Sequence, residues 1–181
     1  MTHAPQITGI GIVAATGIGA DEWLEAWREG VGGIDVATLF EAADGGGTLA
    51  AEVDPEFAVD AYLRTPKTYL DRVSELAFAA MALAVADGGF EPETWARERT
   101  GLMMGTALGN HDTATLFYEG FVKKGPRFVK PILFPHTYAN TTISLLAMEY
   151  GIEGPHMSMA SGGVASAQAL AAACDAIRFG R

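Results

Sequence analysis

Gly154-Pro155-His156-Met157-Ser158-Met159-Ala160-Ser161-Gly162-Gly163-Val164-Ala165-Ser166 is the stretch on which the fold turns. Residues 157–160 read as a short strand. Ser161-Gly162-Gly163 reads as a turn, and residues 164–179 as an alanine-rich helix. A turn between strand and helix exposes its residues at a helix N-terminus, where backbone N–H groups favour negative charge. A nucleophile elbow occupies this kind of place. Here Gly162 and Gly163 carry no side chain, and Ser161 lacks the flanking G-x-S-x-G. Cys174 lies further along the helix and reads as a small core residue, because reactive thiols need accessible, electropositive surroundings.

Outward from this stretch the pattern alternates. Residues 7–16 predict a strand with small residues on one face, which lets another backbone come close. Asp21 opens a helix whose Trp23, Leu24 and Trp27 form an apolar face, stopped by Gly30. Residues 34–65 are weakly patterned, with a turn at the glycines 45–47 and a short strand over 48–53. Residues 71–87 form the clearest helix, with Leu76, Ala80, Leu83 and Ala84 on one face and Gly88-Gly89 at its end. A buried strand follows over 100–107, then helices over 111–122 and 140–150 separated by Pro126, Pro131 and Pro135. This order predicts a single α/β domain over residues 1–181, a mainly parallel or mixed sheet with covering helices.

Composition excludes several classes. The 181 residues are 49 % hydrophobic, yet no apolar run reaches the ~20 residues of a membrane helix, and the N-terminus lacks a signal-peptide pattern. A lone cysteine makes no internal disulfide, and a reducing cytoplasm is expected. The net charge of −10 argues against nucleic acid. Histidines 3, 111, 136 and 156 lack metal-ligand spacing, and no Gly-Lys-Ser/Thr phosphate loop occurs, so no metal or cofactor is expected. Residues 1–101 carry 17 acids and 6 bases, residues 102–181 only 5 acids against 6 bases. Lys123, Lys124, Arg127 and Lys130 cluster there, as a solvated loop or a docking site for an acidic partner.

Several segments in order resemble the beta-ketoacyl-acyl carrier protein synthases, condensing enzymes of the thiolase-like fold. They are Ile7-Thr-Gly-Ile-Gly-Ile-Val with Gly17-Ile-Gly19, the helix from Trp23 to Trp27, and Leu70-Asp71-Arg72, similar to the family's Met-Asp-Arg. Arg99-Thr-Gly-Leu-Met-Met-Gly-Thr-Ala-Leu-Gly109 and the run from Pro131 through Asn140 to Tyr150-Gly-Ile-Glu-Gly-Pro155 complete the likeness. The resemblance implies the N-terminal half of a thiolase-like fold.

The resemblance also implies a nucleophilic cysteine eight residues after the proline of Gly-Pro. That position is Gly163, and glycine forms no thioester. The family's catalytic histidines and lysine come from a C-terminal half that this chain does not contain. The family includes non-catalytic chain length factors, which pair with a ketosynthase and shape its acyl tunnel; their cysteine is often replaced by glutamine. The expectation is a truncated chain-length-factor-like subunit that meets acyl carrier protein indirectly. Ile132, Leu133 and Phe134 would line the tunnel or interface, with Met157 and Met159 near it. The alternatives are the N-terminal fragment of a split or decayed synthase, and a stand-alone acyl or carrier-protein binding module using the Lys123–Lys130 cluster.

Overall fold

The computed structural model describes residues 4–40 and 47–180. The chain packs as two compact units: residues 7–63 with 78–90, and residues 1–6 and 64–77 with 91–181.

In the first unit, strands β1 (Val13–Ala14) and β2 (Gly17–Ile18) form a small antiparallel hairpin, followed by helix α1 (Ala20–Glu29). The strand expected over 7–16 is therefore confined to its last residues. The reason lies in the glycines before it. A Cβ on Gly11 would stand 1.9 Å from the Ala80 carbonyl oxygen, and one on Gly9 would stand 2.3 Å from that of Ala84. The backbone here lies flush on a helix, and the Ile10 N–H donates to the Asp87 carboxylate at 2.8 Å rather than to a neighbouring strand. The close approach foreseen from the small residues is present without the ladder.

The tryptophan face of α1 is not core. Trp23 and Trp27 stack on each other at 6.5 Å, and Trp27 remains 68 % exposed. Gly30 ends the helix in the left-handed conformation, as its position suggests. Strand β3 (Ile34–Val36), absent from the sequence pattern, pairs antiparallel with β4 (Leu49–Ala51). The expected glycine turn at 45–47 lies outside the described residues except for Gly47.

Helix α2 (Arg72–Asp87) contributes its first residues to the second unit and its remainder to the first. Its fully buried positions are Ser74, Phe78 and Ala79, whereas Leu76, Ala80, Leu83 and Ala84 are only half-buried.

The rest of the second unit is a strand–helix–helix–strand–helix succession. Strand β5 (Leu102–Thr106) leads to α3 (His111–Lys124), 3-10 turns at Pro126–Phe128 and Pro131–Thr137, α4 (Thr141–Tyr150), β6 (His156–Ala160) and α5 (Ala165–Arg178). β5 and β6 pair in parallel, with Leu102 opposite His156 and Thr106 opposite Ala160. A parallel pair needs a long crossover, here supplied by α3 and α4. Gly151 closes α4 with φ +63°, and the Ile152 N–H returns to the Ala147 carbonyl at 2.9 Å. The core of this unit is Leu133, Ile143, Leu146, Ala147, Tyr150, Ile152, Ala165 and Ala169. The architecture is α/β, with small two-stranded ladders in place of one wide sheet. No helix among the described residues is long and apolar enough to cross a membrane.

Candidate functional site

The junction of β6 and α5 is built by small residues. α5 lies so close to β5 that only glycine fits at position 105, and the buried faces of Ala165 and Ala169 keep the helix thin on that side. Between strand and helix the chain turns through Ser161, Gly162 at φ +69° and Gly163, a single 3-10 turn over Gly162–Val164. Gly163 is exposed, and nothing lies within 4 Å of where its Cβ would stand. The elbow is thus open and sterically able to carry a side chain, but it presents none. The neighbouring Ser161 hydroxyl donates to the Gln168 side-chain carbonyl, one turn into the helix. Cys174 sits eleven residues beyond Gly163, about 16 Å along a helix axis, far from the turn. It is half-buried rather than the buried core residue expected, because it lies on the flank of α5 away from Ala165 and Ala169.

The segment Pro131–Thr137 presents two faces. Leu133 and His136 are buried, while Ile132 and Phe134 are 45 % and 49 % exposed. Phe134 closes an aromatic row, 5.8 Å from Phe117 and edge-on to Tyr138 at 5.5 Å. Of the three residues expected to reach a tunnel, only Ile132 and Phe134 face outward; Leu133 belongs to the core. Met157 and Met159 stand on one face of β6, opposite Met103 and Gly105. They lie on a different element from residues 132–134.

The basic residues gather at one groove. A cavity of about 310 Å³ between α3 and the following turns is lined by Leu116, Phe117, Lys123, Lys124, Lys130 and Leu133, among others. Lys123 is paired with Glu119 at 2.9 Å. Arg127 projects from the Pro126–Phe128 turn beside it and is exposed.

One cluster escaped the sequence pattern. The Asp71 carboxylate is buried at the start of α2. Its Oδ1 accepts the Ser74 N–H at 2.9 Å, which caps the helix. Its Oδ2 accepts from the Ser74 hydroxyl at 2.9 Å and the Asn110 amide at 3.1 Å, and lies 3.1 Å from His136 Nδ1. The Ser74 hydroxyl also meets Thr142 Oγ1 at 2.9 Å, and the His136 ring stands edge-on to Tyr69 at 4.8 Å. Asn110 Oδ1 has no hydrogen-bond partner among the described residues. The signals available were the Asp-x-x-Ser capping pattern at 71–74 and a histidine beside Pro135. The spacing of Asp71, Asn110 and His136 carries none. Among the described residues no three His, Cys, Asp or Glu side chains converge as a metal-holding group.

Comparison with known proteins places this geometry. The family described as beta-ketoacyl synthase, N-terminal domain, matches residues 6–181. The chain is 27 % identical over 180 residues to 3-oxoacyl-[acyl-carrier-protein] synthase 1 of Haemophilus influenzae, covering 97 % of this chain and 43 % of that protein. It is 28 % identical over 181 residues to the chloroplastic 3-oxoacyl-[acyl-carrier-protein] synthase I of Arabidopsis thaliana, covering 96 % of this chain and 37 % of that protein. It therefore spans less than half the length of these relatives. Among solved structures, a beta-ketoacyl synthase from Burkholderia phymatum superposes with TM-score 0.79 at 26 % identity, over 96 % of this chain and 43 % of that one. The ishigamide ketosynthase/chain length factor superposes with TM-score 0.82 at 24 % identity, over 96 % of this chain and 44 % of that one. The last is a likeness of fold.

Proposed function

The chain belongs to the beta-ketoacyl synthase N-terminal domain family, and from that premise we propose that it is a non-catalytic, chain-length-factor-like subunit. In this reading residues 1–181 act as one ketosynthase-like domain in the cytoplasm. It pairs with a catalytic ketosynthase of fatty acid or polyketide-type biosynthesis and helps shape that partner's acyl tunnel. The observation that supports the reading is Gly163: in the open turn between β6 and α5, the position eight residues after Pro155 has no side chain. Decarboxylative condensation needs a thiol there to hold the acyl group. Ile132 and Phe134 favour an interface role, because exposed aromatic and aliphatic side chains on a proline-fixed segment are what a partner surface covers. The lysines around the α3 groove supply charge for an acidic carrier protein delivered to the pair.

A second reading starts from the same family match, which is to the N-terminal domain of a synthase. It makes the chain the N-terminal portion of a split or decayed synthase. The two readings differ in the partner they need: a complete ketosynthase with its own cysteine, or a chain carrying the remaining histidine half. Co-expression with each, followed by size-exclusion chromatography, tests both. A stable complex with the complete ketosynthase supports the subunit. A chain that stays monomeric beside it overturns that role.

A further inference from the structure

We propose that His136 is a positioning residue, which through Asp71 fixes the path of residues 131–137 and so the projection of Ile132 and Phe134. The functional consequence rests on the tunnel-shaping reading above; the positioning itself does not.

The segment is a 3-10 run packed on α3, and among the described residues its side chains make few directional bonds to other elements. Pro131 and Pro135 have no N–H to donate, and the Leu133 N–H reaches only the local Lys130 carbonyl at 3.1 Å. The Thr137 hydroxyl bonds within the segment, to the Phe134 carbonyl at 2.8 Å. The Thr141 hydroxyl bonds the Pro135 carbonyl from the start of α4. Leu133 and His136 are the two side chains of the segment that enter the core. Leu133 makes non-directional apolar contact, which fixes depth but not orientation. His136 makes a directional contact, 3.1 Å from an oxygen that already accepts from Ser74 and Asn110. An ionised carboxylate oxygen can only accept, so Nδ1 is the donor in this contact. The ring plane is set further by the edge-on Tyr69.

Asp71 is itself buried and bonded through both carboxylate oxygens. It caps α2 and is tied through Ser74 to Thr142 of α4 and through Asn110 to the start of α3. Three segments thus meet at one carboxylate and α4 joins through Ser74; 131–137 is the one among them that is a proline-containing 3-10 run rather than an α-helix or its cap. Phe134 lies two residues from His136, so a rotation at the histidine is passed directly to the aromatic row of Phe117, Phe134 and Tyr138.

The test uses hydrogen exchange on the full chain. His136→Leu removes the donor; His136→Asn keeps one, with its amide nitrogen near the place of Nδ1. Amides of residues 132–137 should exchange about tenfold or more faster in His136→Leu, with β5, β6 and α5 unchanged, and Asn should restore protection. Unchanged exchange at 132–137, or loss spread evenly over the chain, overturns the proposal. Should His136→Leu not fold, Asp71→Asn is read the same way. Product length from the complex with a ketosynthase then separates the two claims. If Phe134→Ala shifts the length and His136→Leu does not, positioning fails and the tunnel reading stands. If exchange rises locally and neither variant shifts the length, the tunnel reading fails and positioning stands.

Discussion

Gly105 on β5 and Ala165 at the start of α5 are in backbone contact: a Cβ on Gly105 would stand 2.4 Å from the Ala165 carbonyl carbon. No flexible side chain is available to move aside. Gly105→Ala must displace α5 from the ladder. The expected loss is about 3 kcal/mol or more, read as a lowered denaturation midpoint, and the turn at 161–163 should move with the helix. An unchanged midpoint would mean that helix and strand are not in contact.

Gly163 contrasts with Gly105, since open space surrounds its missing side chain. Gly163→Cys should fold with stability within about 0.5 kcal/mol of the parent. The new thiol, exposed in the 3-10 turn just before α5, should react with a maleimide about tenfold faster than half-buried Cys174. Mass spectrometry of the labelled peptides distinguishes the two.

Glu149 predicts an acid dependence. Burial works to raise its pKa, but the Lys67 ammonium, the Thr65 hydroxyl and the backbone N–H groups of Thr65 and Arg64 outweigh it, holding the carboxyl below its ordinary 4.5. The folded state therefore binds this proton more weakly than the unfolded chain does. Its contribution is complete above 4.5 and is lost as pH falls below that value. Glu149→Gln should lower stability at neutral pH by about 1–3 kcal/mol and flatten the acid limb of the stability profile. Denaturant titrations across the acid range measure both.

Asn110→Asp would set a second carboxylate beside Asp71, where an amide now donates at 3.1 Å. Two like charges in a buried site repel, and the loss should reach about 3 kcal/mol. Thermal melts of the variant against the parent measure it.

Lys124 and Lys130 line the same groove beside Phe128. Under the proposed function, replacing both with Glu should raise the KM for acyl carrier protein about tenfold in the complex with a ketosynthase and leave kcat unchanged. A KM insensitive to both the substitutions and salt removes the groove from docking.

The elements with local punctuation were legible. α2 and α4 end at the glycines that follow them and α5 within two residues of Gly180, and β5 and β6 stand where apolar runs meet glycine. β3 was hidden because Ile34-Asp35-Val36 is a strand only through residues 49–51, and such pairing leaves no mark in the pattern. Residues 7–12 looked like a strand because a backbone flush against a helix selects the same small residues as a packed strand. That Gly163 stands at the nucleophile position is what the family resemblance implies, through its offset from Pro155; the open space around it is visible only in the structure. The Asp71–His136 contact could not be read from the sequence, since its partners are 65 residues apart and meet only once α2, α3 and α4 are in place.

The parallel register of β5 and β6 also bears on how the chain reaches this structure. Leu102 cannot find His156 until the whole crossover between them has been made, so the ladder is bought with a long loop closure before its first bond forms. α3 and α4, whose contacts are local, should form while β5 still waits with its backbone groups in water. During synthesis that wait lasts until residue 160 has emerged. In this interval β5 is an unpaired apolar strand, the species most prone to join a second copy of itself. Refolding yield should therefore fall steeply with protein concentration, and a companion chain present from the start should protect it.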